Sequence, residues 1–272
     1  MNIDFKAKYG EWALITGATS GIGKALAYEI AAKGINIVLV ARSKENIEIV
    51  SKSIEKEYKV SVAGVSADLS AGEGVNEVIS KTENLRIGFL ILSAGQDNTG
   101  FFPENKLETE LNLIQLNIVS TLKLTHHFSR KMLEHKRGGI LLISSLTALM
   151  PTPYYSNYAA TKSYVQNLAC SLYGELKPYG IDVSVLAPGV TDTPMAANTG
   201  IDWSATPVKS MKPETVADET IKQFGKKLLI VPGQTNKIFV FIMKFFSSPA
   251  EIAVRNEKML KKAARKYLSL KN

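Results

Sequence analysis

Hydrophobic positions along this chain follow two rhythms. Short continuous runs recur at Trp12–Thr16, Ile35–Val40, Val60–Val65, Ile87–Leu92, Gly139–Ser144, Ile181–Ala187 and Leu228–Val231. Runs of this kind, rich in Val, Ile and Leu and without polar alternation, read as strands buried on both faces of a parallel sheet. Between them lie longer stretches with helical spacing: Lys24–Lys33, Ser43–Tyr58, Leu107–Glu134, a stretch starting at Tyr158 and reaching about Lys177, and Pro213–Phe224. Gly34, Pro178-Tyr-Gly180 and Pro232-Gly233 punctuate the pattern, as helix and strand stops do. Strands alternating with helices predict an α/β fold: one doubly wound domain of about seven parallel strands with helices on both faces. The pattern assigns residues 1–233 to that domain and 234–272 to a helical extension. A chain of 272 residues is long enough to bury one large core.

The first strand runs into Gly17-Ala-Thr-Ser-Gly21-Ile-Gly23 and then a helix. Glycines allow a tight turn and a close backbone approach to a pyrophosphate, while helix N–H groups face its charge. Strand, glycine turn, helix and strand within about 30 residues is the setting a dinucleotide site needs. The second strand closes Val40-Ala41-Arg42-Ser43, without the acidic residue that would bind the ribose hydroxyls of NAD. Arg42 offers a planar fork for a 2′-phosphate, which favours NADP(H) over NAD(H).

Chemistry enters at Ser145 and at Tyr158-x-x-x-Lys162. Residues four apart on a helix share a face. A phenol ionises near 10, and a nearby ammonium is expected to lower that value. Such a phenol gives a proton to a carbonyl oxygen or takes one from an alcohol. Ser145, after an apolar strand, would hydrogen-bond the same oxygen.

Thr16-Gly-x-x-x-Gly-Ile-Gly23 together with Tyr158-x-x-x-Lys162 resembles the short-chain dehydrogenase/reductase family, over roughly residues 10–232. The resemblance implies a Rossmann-type three-layer fold and an oxidoreductase that interconverts a carbonyl and a secondary alcohol by hydride transfer. It implies that Tyr158 is the general acid/base, that Ser145 orients the substrate oxygen, and that Lys162 lowers the tyrosine pKa and binds the nicotinamide ribose. It implies that Asn117, in Leu116-Asn117-Ile-Val-Ser120, keeps a relay water. Cofactor contacts implied in the same way are Gly17, Ser20, Gly21, Ile22 and Gly23 in the turn, and Asp68 and Leu69 near the adenine. Ser93, Ala94 and Gly95 follow at the ribose, and Pro188, Gly189, Val190 and Thr193 at the carboxamide. The chain departs from the family pattern at Ser93, where a second asparagine is expected. It also departs at Ser20, where many NADP-using relatives carry a basic residue. Asp68 and Ser70 are rival caps for the helix after the third strand. Residues 192–212, with Met195, Trp203 and Pro207, read as a substrate loop.

Composition narrows the picture further. One cysteine, Cys170, falls in an apolar helix and reads as a buried thiol. No apolar run reaches the length of a membrane span, and a cytoplasmic enzyme is expected. The net charge is +8, but without an arginine-rich arm, so no nucleic-acid partner is expected. Adjacent His126 and His127 cannot share a helix face, and no metal site is expected. A homodimer or homotetramer acting on a small-molecule carbonyl or alcohol is the expected assembly. The extension, with Lys237–Phe246 and a basic helix ending Lys261-Lys-Ala-Ala-Arg-Lys266, reads as a cover for the pocket, a dimer face or a peripheral membrane contact. Two other readings stay open: a nucleotide-sensing scaffold without catalysis, and a lipid or sterol reductase at a membrane surface.

Overall fold

The computed structural model describes residues 4–203, 209–246 and 248–263. Seven strands form one sheet: β1 (Trp12–Thr16), β2 (Asn36–Ala41), β3 (Val62–Ser66), β4 (Ile87–Leu92), β5 (Gly138–Ile143), β6 (Ile181–Leu186) and β7 (Leu229–Ile230). Every neighbouring pair is parallel, in the order β3-β2-β1-β4-β5-β6-β7. The chain winds outward from β1 to β3 and then returns to β4 beside β1. A crevice opens at the carboxyl ends where that order reverses, and ligands of open α/β sheets bind there.

The helices are α1 (Phe5–Tyr9), α2 (Gly21–Ala31), α3 (Lys44–Tyr58), α4 (Gly74–Lys81), α5 (Leu107–Ile114), α6 (Ser120–His135), α7 (Ser156–Leu176), α8 (Pro194–Ala197), α9 (Pro213–Gln223), α10 (Gln234–Phe246) and α11 (Pro249–Ala263). Successive strand residues point to opposite faces. Ile15, Leu39 and Ile91 therefore pack with Leu26 and Ile30 of α2, Ile54 of α3 and Ile221 of α9. Leu14, Val38 and Leu90 pack on the other side with Val78 of α4, Phe128 of α6 and Val165 of α7. Two cores on one sheet explain why the strands carry no polar alternation.

Some boundaries differ from the sequence reading. Helix α2 starts at Gly21, earlier than Lys24, because the glycine turn itself winds into the helix. Leu107–Glu134 is interrupted by a π turn at Gln115–Val119 between α5 and α6, a feature common at functional sites. Neither Asp68 nor Ser70 caps α4, whose N-cap is Glu73; Asp68 Oδ1 instead accepts from Ser70 N at 2.9 Å and Ser70 Oγ at 2.6 Å. Cys170 is exposed, not buried, because it falls on the outward side of α7. Residues 192–212 are not a plain loop: α8 lies within them, and Asp192 N to Met211 O (2.9 Å) and Met211 N to Val190 O (3.0 Å) tie the ends together. Pro207 and residues 264–266 of the basic run lie outside the described residues.

Helix α1 carries no sequence signal of its own. Asp4 caps it by accepting from Ala7 N at 3.0 Å. Tyr9 stacks on Phe89 at 5.2 Å and meets Phe224 edge-on at 5.3 Å. Its hydroxyl donates to Asp182 Oδ2 at 2.8 Å, which satisfies a polar group otherwise costly to bury. No helix among the described residues is long and apolar enough to cross a membrane.

Candidate active site

A cleft at the carboxyl ends of the strands runs past Gly17, Ser20, Gly21, Ile22 and Gly23, then Arg42, Asp68 and Leu69, then Ser93, Ala94 and Gly95, to Tyr158 and Lys162. Glycine is required at several of these points. Gly17 and Gly21 have φ of 65° and 51°, and a Cβ on Gly17 would lie 2.9 Å from Ala94. A Cβ on Gly21 would meet the Thr193 methyl at 2.8 Å, and one on Gly23 would meet Gly17 O at 2.3 Å. Ser20 makes no side-chain cap bond, so the first-turn N–H groups of α2 are left for an anion. These features fit a dinucleotide. Arg42 is exposed at the rim, and after the Ser70 hydrogen bonds its charge helps hold the Asp68 carboxyl below its ordinary value.

The segment after β4 approaches the turn through Thr16. Its Oγ1 accepts from both Ser93 N and Ala94 N at 3.0 Å. Thr16 thus anchors the segment whose expected asparagine is replaced by Ser93. Deeper in, Asn117 sits on the π turn and is 1% exposed. Its Oδ1 accepts from Gln96 N (3.0 Å), and its Nδ2 donates to Gln96 O (2.9 Å) and Thr161 Oγ1 (3.1 Å). Asn117 therefore ties the loop after β4 to α7, and it lines neither cavity.

Strand β5 and helix α7 are stapled in both directions. Ser144 Oγ donates to Lys162 O at 2.8 Å, and Lys162 Nζ donates to Ile143 O at 3.0 Å. This sets Lys162 Nζ 5.7 Å from the Tyr158 ring centroid. Burial lowers Lys162 to about 8, with Asp97 pulling upward. Tyr158 differs from the sequence expectation: it is held above the ordinary phenol value, not below it. Burial is the main cause and the Asp97 charge adds to it, while the Ser145 hydroxyl pulls the other way. Desolvation decides the direction of the shift.

A second cavity adjoins the cleft. Ser145, Tyr158 and Asp97 line it, together with Leu146, Met150 and Val190. Met195 and Trp203 belong to it, as does Gly189. Helices α10 and α11 close it with Asn236, Phe239, Met259 and Leu260. Of the three roles open to the extension, its inner face covers the pocket. Ile22, Tyr158, Pro188, Thr193 and Met195 line both cavities. The Thr193 hydroxyl also accepts from Ala196 N at 3.2 Å, capping α8. Sequence reasoning missed Asp97 altogether, and it missed the anchoring roles of Ser144 and Thr16. Only the charge two residues beyond Ala94-Gly95 could have pointed to Asp97. No cluster able to hold a metal ion occurs among the described residues.

The model of the short chain dehydrogenase family matches residues 11–202. The chain belongs to that family. As a short-chain dehydrogenase it is an oxidoreductase. It is 33% identical over 238 residues to 7beta-hydroxysteroid dehydrogenase of Collinsella aerofaciens, covering 86% of this chain and 90% of the relative. It is 35% identical to mouse 17-beta-hydroxysteroid dehydrogenase type 3, covering 83% of this chain and 72% of the relative. A solved 7beta-hydroxysteroid dehydrogenase structure superposes with a TM-score of 0.86 at 31% identity, over 93% of this chain and 99% of that one. A short-chain dehydrogenase from Sphingobium yanoikuyae in complex with NADPH gives a TM-score of 0.78 at 30% identity, over 88% and 96%.

Proposed function

We propose that this short-chain dehydrogenase is NADP(H)-dependent and interconverts a bulky apolar ketone with its secondary alcohol. The observation that carries the reading is the shared wall: Tyr158 borders both cavities, with Lys162 on the nucleotide side and Ser145 on the other. The NADP preference is supported by Arg42 and the absent carboxylate at the end of β2, and by the NADPH complex of one structural neighbour. The substrate class is supported by the apolar walls from Leu146 to Leu260 and by the hydroxysteroid activity named for two relatives.

When bound, NADPH supplies the hydride that reduces the carbonyl carbon. Ser145 donates a hydrogen bond to the substrate oxygen and stabilises the charge that grows there. Tyr158, kept protonated at neutral pH by burial, gives that oxygen its proton. Lys162 stays anchored on Ile143 O, where its ammonium lies beside the phenol ring and would hold the nicotinamide ribose in the nucleotide cleft. Asn117 holds the loop after β4 against α7, which fixes the place from which a relay water would reach Lys162.

The test is NADPH oxidation with a panel of steroid and smaller ketones, repeated with NADH. Tyr158→Phe should keep NADPH binding and lose turnover by roughly a thousandfold, within the range of general acid catalysis. Near-normal turnover by that variant would remove Tyr158 from the mechanism.

A further inference from the structure

The charge of this chain is unevenly placed. It has 33 Lys and Arg against 25 Asp and Glu, yet residues 234–272 hold nine of the former and only two of the latter. Seven of the eight net positive charges therefore sit in the extension, and residues 1–233 are nearly neutral.

Helices α10 and α11 each show two faces. Thr235, Asn236 and Phe239 of α10 line the second cavity, as do Asn256, Met259 and Leu260 of α11. On the outside of α10, Ile238, Phe241 and Ile242 are 59%, 61% and 49% exposed. Their i, i+3, i+4 spacing makes one stripe. On the outside of α11, Val254 is 58% exposed, and Lys258, Lys261 and Lys262 are exposed beside it. A helix lying in a lipid interface combines exposed apolar residues with lysines, and α10 and α11 between them present both.

We infer that the outer face of α10 and α11 docks this protein on an anionic lipid bilayer. Ile238, Phe241, Ile242 and Val254 would enter the boundary of headgroups and acyl chains, and Lys258, Lys261 and Lys262 would meet acidic headgroups. A second copy of the chain fits this face poorly. A two-fold contact brings the same patch of both copies together, and the seven net positive charges of each extension would then repel. The docking is independent of which substrate the cavity takes. It does place the cover of that cavity at the lipid surface.

The test is co-sedimentation of the full chain with phosphatidylcholine vesicles, with and without one-third phosphatidylserine. Low salt is compared with about 1 M salt, where charge attraction is screened. Pelleting with phosphatidylserine vesicles at low salt is expected, with at least about tenfold weaker partition on neutral vesicles or in high salt. Two variants share one readout: Ile238→Ser with Phe241→Ser and Ile242→Ser, and Lys258→Glu with Lys261→Glu and Lys262→Glu. Each should pellet far less while keeping its melting temperature and NADPH binding. Losing three lysines alone should cost roughly a hundredfold in partition, and the reversals at least that. A full chain that stays in solution with acidic vesicles overturns the inference. So do variants that pellet like the parent. Light scattering that shows the apolar-stripe variant falling from dimer to monomer, with lipid binding unchanged, would give the face to a second copy and also overturn it.

Discussion

Tyr158, Lys162 and Asp97 form a three-way electrostatic problem. Burial dominates the first two: it lifts the phenol and brings Lys162 down to about 8 from 10.5. The stability of the cofactor-free protein should follow. Below pH 8 Lys162 is charged in both folded and unfolded chains, and the folded chain bears the full cost of burying it. From about pH 8 to 10.5 the unfolded chain holds a proton that the folded chain has lost, so stability rises with pH. The rise is roughly 3 kcal/mol at most. Above pH 10 the trend turns, because Tyr158 keeps its proton only when folded. Urea unfolding across pH 7–10 should show this climb, and Lys162→Met should flatten it. Asp97 offers a separate check on turnover. Its carboxylate is the second cause, after burial, of the raised phenol. Asp97→Asn should therefore let Tyr158 ionise earlier and move the pH midpoint of alcohol oxidation downward. An unmoved midpoint would mean the carboxylate does not reach the phenol. The sequence made Tyr158 and Lys162 legible because their spacing is local. Asp97 was hidden because its influence arises from burial between the loop after β4 and α7, which no local spacing records. The sign of the Tyr158 shift was hidden for the same reason.

Among the elements, legibility tracked the length and regularity of the pattern. The β1–α2–β2 unit was readable because glycine turn, helix and strand each leave a local mark. Helix α1 was not, since five residues carry no period. Its place is set by Tyr9 packing on Phe89 and Phe224 and bonding Asp182, partners far away in the chain. The role of α10 was ambiguous for another reason. Large apolar residues fall on both of its sides, Phe239 at the cavity and Ile238, Phe241 and Ile242 outside, so the pattern could not tell the cavity wall from the outward stripe. Between elements, the joint of β1 to the segment after β4 rests on Thr16, which is 1% exposed and accepts from two backbone N–H groups. Thr16→Val keeps the shape and removes the acceptor. Each of the two orphaned donors costs about 1–3 kcal/mol, so a loss of roughly 2–6 kcal/mol is expected in urea unfolding. Weaker NADPH binding should accompany it, because Ala94 and Gly95 line the nucleotide cleft. A stability within about 0.5 kcal/mol of the parent, the ordinary range for an uninvolved site, would deny Thr16 that part.

Across the whole molecule, the two cavities draw on different lengths of chain. The nucleotide cleft is lined by residues from Gly17 to Met195. The second cavity needs Asn236, Phe239, Met259 and Leu260 as well. Removing residues 234–272 should therefore leave NADPH binding within a few-fold of the parent, while KM for an apolar ketone rises by tenfold or more, about 1.4 kcal/mol of lost contact. Fluorescence titration with NADPH and steady-state kinetics separate the two effects. Equal losses in both would mean that the extension supports the entire sheet. The same division has a temporal side. A ribosome delivers the chain from its N-terminus, and a nascent protein in which α10 and α11 are still unmade already owns every segment around the dinucleotide. Cofactor in the surrounding fluid can then act as a folding ligand during synthesis, adding stability by mass action before the substrate chamber has its roof.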